Sequence, residues 1–166
     1  MNAVVKSAIC GGLVAGTVDI GAAALIHVAN PLRILLAIAG GLLGKAAFRG
    51  GGQVMLLGLV LQWGMSVLIA AIYSLAAHRF PGLARRWVLG GALYGVIVFI
   101  VMNFVVVPLS ASPFRLHLTP AAVGPDLLAM LVFGWIVAFT AHRYSCLAMT
   151  RSMRLSGISH INATRM

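Results

Sequence analysis

Residues 7–29 read SAICGGLVAGTVDIGAAALIHVA, an apolar stretch in which Asp19 is the single formally charged residue. A helix rises about 1.5 Å per residue, so about 20 residues cross the roughly 30 Å hydrocarbon layer of a bilayer. The stretch is long enough for such a crossing. It therefore predicts a transmembrane helix near the start of the chain.

The composition of the whole chain points the same way. Of the 166 residues, 61% are hydrophobic and 8% are charged, whereas a soluble domain carries roughly 25% charged residues. The mean hydropathy is +1.05. A soluble protein is excluded, and we predict an all-α bundle of four transmembrane helices built from two hairpins. The predicted spans are about 7–29, 53–77, 88–109 and 125–142.

A fifth apolar piece, 34–44, is bounded by Arg33 and Lys45. It is too short to cross a bilayer between those charges. Pro31 precedes it and three glycines at 50–52 follow it. We expect segment 34–48 to be an interfacial or re-entrant helix between the first two spans.

The distribution of Lys and Arg predicts the orientation, because these residues favour the cytoplasmic side. One side of the predicted bundle carries eight of them: Lys6, Arg79, Arg85, Arg86, Arg143, Arg151, Arg154 and Arg165. The other side carries four: Arg33, Lys45, Arg49 and Arg115. We predict that both termini are cytoplasmic, with one membrane domain at 1–144 and a basic cytoplasmic tail at 145–166. The net charge of +10 is spread over helix ends, so we expect a lipid surface and no nucleic acid as partner.

Two glycine motifs suggest an internal repeat. GGLVAG at 11–16 opens the first predicted span and GGALYG at 90–95 opens the third, while Ala-His-Arg ends the second and fourth spans at 77–79 and 141–143. Chance is the alternative, since glycine is common in membrane helices. Small residues let helices approach closely. Four of them are candidate packing positions, within the chain or between copies: Gly12, Gly16, Gly91 and Gly95.

Asp19 is the most informative polar residue, because a charged side chain at mid-membrane costs about 2.5–3.5 kcal/mol and should avoid lipid. Polar side chains at comparable depth on the other spans are its candidate partners, namely Gln62, Trp63, Asn103 and Trp135. Asp19 is either a proton-accepting or cation-binding group, or a neutral, hydrogen-bonded clamp between helices.

A second polar cluster is predicted at the outer face, formed by His27, Asn30, Arg33, Arg115, His117 and Asp126. These residues lack the short ligand spacing of a metal site, and Asp126 with Arg33 or Arg115 would form an ordinary interfacial salt bridge. We expect neither a metal nor a cofactor.

Several segments resemble a family of uncharacterised bacterial four-helix inner-membrane proteins. The segments are GGLVAGTVD (11–19), NPLR (30–33), LLGKAAF (42–48), VLGGALYGV (88–96), MNFVVVPLSA (102–111) and AHRY (141–144). More distantly, FPGLARRWVLGGALYG (80–95) is similar to part of YagU-like inner-membrane proteins, a family associated with acid resistance. The closer resemblance implies location in the bacterial inner membrane and the four-span topology. It also singles out six residues as candidates for a role: Asp19, Asn30, Pro31, Arg33, Asn103 and Pro108.

These features predict a non-enzymatic structural or accessory membrane protein that acts through helix–helix association, with itself or in a larger complex. The alternative is a small proton-linked transporter or channel that uses Asp19, acts as a homo-oligomer and rocks two hairpins about a central site. The small-molecule ligand, if the protein has one, is not specified by the sequence.

Overall fold

The computed structural model describes residues 3–26, 30–111 and 120–163, and places the side chains of all of these except 120–122 and 145–163. Every element in these ranges is helical. In chain order they are α1 (Ala3–Ile26), α2 (Pro31–Leu43), α3 (Gly52–Arg79), α4 (Pro81–Arg85), α5 (Trp87–Val101), α6 (Val107–Leu109) and α7 (Pro120–Ala163). A 3₁₀ turn at Gly44–Arg49 follows α2, and a π-helical turn at Met102–Val106 joins α5 to α6.

The helices have the length and composition of membrane-crossing segments. In the described part of the chain, five segments are long and apolar enough: Ala3–Ile26, Pro31–Arg49, Gly52–Arg79, Trp87–Leu109 and Val123–Tyr144. Only 17–22% of the most apolar window of each is buried within the chain. The remaining apolar surface needs a lipid environment, so the fold is that of an integral membrane protein.

The segment around α2 is longer than the sequence interpretation allowed. Asn30 caps the helix, its side-chain oxygen accepting a hydrogen bond of 2.9 Å from the backbone N–H of Leu32, and Pro31 occupies the first helical turn. Arg33 therefore lies within the helix. At the other end Gly44, with φ of +62°, turns the chain into the 3₁₀ segment that continues to Arg49. The Asn30 cap begins the helix and the Gly44 turn ends it. Arg33 and Lys45 therefore do not set its ends.

Helices α1 and α3 lie antiparallel. Near one end of the pair the hydroxyls of Ser7 and Ser74 are 3.1 Å apart and buried. Towards the other end Gln62 donates a hydrogen bond to Asp19. The last turn of α1 and the first turn of α3 consequently lie at the same end of the bundle.

Helices α5 and α7 form the second antiparallel contact. The indole N–H of Trp135 donates to the carbonyl of Val88 over 3.0 Å. Two turns further along α5, Gly95 lies against the backbone of Met130. Glycine at these crossings lets the two backbones come together, which is how membrane helices gain packing contacts without a hydrophobic driving force.

The two helix pairs join along α1 and α7. Gly11 lies against Thr140, and the hydroxyl of Tyr144 donates to the sulfur of Cys10 over 3.3 Å. The buried core follows this junction and is made largely of small residues and two aromatic rings: Ala15, Ala70, Tyr73, Ala77, Phe133, Val137, Ala138 and Ala141.

Helix α7 differs from the prediction in its extent. It begins at Pro120, so Pro125 lies inside the helix and not at its first turn. Its backbone continues to Ala163 and takes in most of the predicted tail, for which the sequence showed no clear helical period. The third span also changes geometry before its end, where the π-helical turn at Met102–Val106 precedes Pro108.

Candidate functional site

Asp19 lies on α1 opposite Gln62 on α3. The side-chain amide of Gln62 donates a hydrogen bond of 2.8 Å to Oδ2 of Asp19, and both side chains are half-buried. Of the four predicted partners, Gln62 is the one whose hydrogen bond to Asp19 the structure shows. The bond links two antiparallel helices through polar atoms in an apolar layer.

A second polar contact joins the same two helices, through residues next to Gln62 and Asp19 in the sequence. The indole N–H of Trp63 donates to the hydroxyl of Thr17 over 3.2 Å, and that hydroxyl donates to the carbonyl of Leu13. Trp63 therefore supports the α1–α3 contact close to Asp19, but its hydrogen bond goes to Thr17 and not to the carboxyl group of Asp19. Its polar atom is satisfied within the bundle, which is the usual requirement for an indole away from water.

Asn103 and Trp135 are held at other places. The amide of Asn103 donates to the carbonyl of Phe99 on its own helix, at the π-helical turn, over 2.9 Å. Trp135 donates to Val88 and belongs to the α5–α7 contact. The structure thus does not gather all four predicted partners around Asp19, because depth in the membrane does not specify which face of a helix a residue occupies.

An apolar groove with a volume of about 250 Å³ lies between α1 and α7, and Asp19 forms part of its wall. We call it the α1–α7 groove. Its other lining residues are all apolar: Ala15, Val18, Ala22, Leu25, Ile26, Pro125, Leu128, Ala129, Val132 and Phe133. Asp19 is therefore the one polar residue in an otherwise apolar lining, and the surface that the groove exposes is almost wholly apolar.

The predicted outer-face cluster is only partly within the described residues. Asn30 caps α2, Arg33 is exposed in its first turn, and Asp126 is half-buried near the start of α7. The remaining predicted members, His27, Arg115 and His117, lie outside the described residues.

The four predicted packing glycines contact helices of their own chain. A Cβ at Gly12 would lie 2.5 Å from the Cα of Val67, and one at Gly16 would lie 2.5 Å from the Ser66 hydroxyl, both on α3. A Cβ at Gly91 would lie 2.9 Å from the Trp135 ring and one at Gly95 2.5 Å from the Met130 carbonyl, both on α7. These surfaces are covered within one molecule, so they are not free to pair with a second copy.

Sequence reasoning missed three residues at the contacts of α1. Ser7 and Ser74 form a buried hydroxyl pair between α1 and α3, and Phe133 lines the α1–α7 groove. Ser7 precedes Gly11 by four residues and so shares its helix face, a signal that was present in the sequence. Phe133 carried no such signal, because an aromatic residue in an apolar span is ordinary.

The arrangement offers one carboxylate that accepts a hydrogen bond from Gln62 and belongs to a residue in the wall of an apolar groove. Among the residues that the structure describes, no three His, Cys, Asp or Glu side chains come together as they would around a metal ion. The chemistry available at the groove is hydrogen bonding and charge pairing. Compared with known proteins, the chain matches no protein-family model, no curated protein and no solved structure.

Proposed function

We propose that this chain is a non-enzymatic, accessory protein of the bacterial inner membrane that acts by helix–helix association. The observation that carries the proposal is the Asp19–Gln62 hydrogen bond of 2.8 Å between α1 and α3. Asp19, an ionisable residue inside the first span, is thereby engaged in helix packing. Buried polar groups in membrane proteins commonly serve this purpose.

The other polar contacts between helices support the same conclusion. The Ser7–Ser74 and Trp63–Thr17 pairs add two further links between α1 and α3. The hydroxyl of Tyr94 donates to the carbonyl of Ile69 over 2.6 Å and ties α5 to α3. These polar groups thus stabilise one arrangement of the helices, as expected of a protein that acts through helix packing.

We also propose four crossings with both termini in the cytoplasm. The antiparallel α1–α3 contact supports this, since it brings the end of α1 and the start of α3 to one side. Segment 31–49, which joins them, then begins and ends on that side of the membrane. Its contacts agree: Leu35 lies against Gly58 in the first turns of α3, and Gly41 accepts a hydrogen bond of 2.8 Å from Ala111.

The topology can be tested with alkaline phosphatase fusions placed after residues 30 and 50. Four crossings require both fusions to report the same compartment, which is the periplasm if the termini are cytoplasmic. Opposite activities would show that segment 31–49 crosses the membrane and would refute the four-span arrangement.

The role of Asp19 can be tested by comparing Asp19→Asn with Asp19→Leu. Asparagine keeps an oxygen that accepts from Gln62, whereas leucine has a similar size and no acceptor. Unfolding in a titration with sodium dodecyl sulfate leaves helices formed, so it measures helix association. We expect Asp19→Leu to lose about 0.6 kcal/mol, up to about 1.7 kcal/mol, and Asp19→Asn to lose less than half as much.

Gln62→Leu supplies the control, because it removes the donor in place of the acceptor. Both single variants break the same bond, so the double variant Asp19→Leu/Gln62→Leu should cost little more than either alone. Additive losses would show that the two side chains act independently. Asp19 would then not be a clamp.

Proton-linked transport is the second candidate, favoured by the position of Asp19 in the wall of the α1–α7 groove. Vesicles containing the purified protein and a pH-sensitive dye distinguish the two functions. An accessory protein leaves the decay of a pH gradient at the rate of protein-free vesicles. A faster decay that Asp19→Asn abolishes would refute the accessory function and establish transport.

A further inference from the structure

Basic side chains gather at the end of the bundle where α1 begins. The buried Ser7–Ser74 pair places the start of α1 beside the end of α3, and α4 leads from there into α5. Nδ1 of His142 lies 2.9 Å from the carbonyl oxygen of Ala84, which brings α7 to the same end. The Lys and Arg side chains that the structure describes at this end are all exposed: Lys6, Arg79, Arg85, Arg86 and Arg143.

No side-chain carboxylate of the chain lies close enough to pair with these cations. The only two acids in the sequence are Asp19 and Asp126. Asp19 lies twelve residues beyond Ser7 on α1, and Asp126 lies seventeen residues before Arg143 on α7. At about 1.5 Å per residue these separations are about 18 Å and about 25 Å along the helices, far beyond the roughly 4 Å of an ion pair. Groups outside these side chains therefore balance the charge.

Three of the basic residues form what we call the α4 cluster: Arg85, Arg86 and Arg143. Arg85 is the last residue of α4, and Arg86 follows it. The contact between His142 and Ala84 joins α7 to α4 through the residues that directly precede Arg143 and Arg85 in the sequence. Consecutive Cα atoms are about 3.8 Å apart, so the three long side chains start close enough together to reach one shared anion.

Aromatic packing beneath the cluster holds α5 against α7. The ring of Trp87 lies 5.4 Å from the Phe139 ring in an edge-on contact and 6.4 Å from the His142 ring in a stacked one. The guanidinium group of Arg143 lies 5.7 Å from the centre of the Phe139 ring, within the range of a cation–π contact. Tryptophan beside basic residues is typical of the membrane–water interface. The cluster therefore lies at the level of the lipid headgroups.

The surface next to the cluster is apolar and exposed. Leu89 on α5 is 67% exposed and Phe139 on α7 is 43% exposed. A ligand that spans both regions needs an anionic group at one end and hydrocarbon at the other. An anionic phospholipid meets both requirements, because the planar guanidinium group forms paired hydrogen bonds with phosphate oxygens and the acyl chains match the apolar surface.

We propose that the α4 cluster binds an anionic phospholipid, whose phosphate lies among Arg85, Arg86 and Arg143 and whose acyl chains lie along α5 and α7. A zwitterionic phospholipid carries the same phosphate together with its own cation, so the cluster discriminates against it. The site is separate from the accessory function, because its occupancy requires no contact with another protein.

The test is the binding of radiolabelled phosphatidylglycerol to the immobilised full chain in a non-ionic detergent. The competitors are unlabelled phosphatidylglycerol, phosphatidylcholine and inorganic phosphate. We expect saturable binding, competition by phosphatidylcholine that is weaker by about tenfold or more, and no competition by excess inorganic phosphate. Absence of saturable binding would overturn the proposal.

Variants of equal charge separate the cluster from the net charge of the protein. Arg85→Gln/Arg86→Gln/Arg143→Gln removes three charges from the cluster. A basic residue at an anionic membrane surface contributes a factor of about five, so this triple variant should bind about a hundredfold more weakly. The matched control removes three charges from exposed residues of segment 31–49 and should keep the wild-type affinity; its changes are Arg33→Gln, Lys45→Gln and Arg49→Gln.

Three outcomes would contradict the inference. Equal losses in the two triple variants would show that net charge attracts the lipid. Competition by inorganic phosphate as strong as that by phosphatidylglycerol would indicate a site for a free anion, and equal competition by phosphatidylcholine would show that the headgroup charge is not recognised.

The substituted residues are all exposed, so we expect each variant to fold and elute as the wild type does. If the cluster variant aggregates, Arg85→Gln/Arg86→Gln against Arg33→Gln/Lys45→Gln provides the same comparison. A negative result here leaves the accessory function standing, since the Asp19 and Gln62 variants test that function separately.

Discussion

The contact between α5 and α7 should be sensitive to one added methyl group at Gly95. A Cβ built there would lie 2.5 Å from the carbonyl oxygen of Met130 and 2.8 Å from the Cα of Leu131, whereas ordinary contacts begin at 3.4 Å. Both neighbours are backbone atoms, which cannot turn aside as a flexible side chain can. The helices must separate locally by roughly 1 Å, and a gap of that size loses a quarter to a half of each affected contact.

We therefore expect Gly95→Ala to destabilise the bundle by about 1–3 kcal/mol, the usual cost of overpacking. Unfolding in a dodecyl sulfate titration measures this loss. Gly64→Ala is the control, because a Cβ at Gly64 meets nothing within 4 Å and alanine favours the helix by up to about 1 kcal/mol. The reasoning is refuted if Gly95→Ala is as stable as the wild type, or if Gly64→Ala is equally damaging.

Three further predictions concern hydroxyls in the core. Ser7→Ala should cost about 1 kcal/mol because it leaves the Ser74 hydroxyl buried without its partner, and Ser7→Ala/Ser74→Ala should cost no more; additive losses in the same titration would contradict this. The Tyr73 hydroxyl is buried and has no hydrogen-bond partner among the described residues, so Tyr73→Phe should be neutral or stabilising by about 1 kcal/mol. Gly90→Ala, whose Cβ would lie 2.8 Å from that hydroxyl, should be better tolerated in the Tyr73→Phe background than in the wild type, and equal losses in the two backgrounds would contradict this.

Hydropathy located the long apolar helices because lipid imposes both their length and their composition. It was less informative about where helices end. The ends of α2 depend on the Asn30 cap and the glycine turn at Gly44, which are local backbone features. Arg33 and Lys45 misled the sequence interpretation, since long basic side chains can reach the membrane surface from within a helix.

The Asp19–Gln62 pairing could be anticipated from depth, whereas the positions of Asn103 and Trp135 could not. Two residues at the same depth meet only if their helices are neighbours and both side chains face the contact. Asp19 and Gln62 satisfy this because α1 and α3 are antiparallel neighbours. Asn103 instead bonds to its own helix and Trp135 to the α5 backbone, and neither the neighbour nor the face follows from hydropathy.

The similarity between the two glycine motifs extends to their contacts, and the places where it fails explain the asymmetry of the bundle. Ala15 and Tyr94 occupy the same position in GGLVAG and GGALYG, and Val137 and Tyr73 each lie four residues before Ala-His-Arg. Where the pair is Ala15 and Val137, both fully buried, α1 and α7 come together. Where it is Tyr94 and Tyr73, two rings 4.9 Å apart stand between α5 and α3. The two tyrosine rings thus hold α5 and α3 apart, whereas the smaller side chains of Ala15 and Val137 let α1 and α7 pack closely. The closely packed α1–α7 junction is the one that leads into the groove beside Asp19.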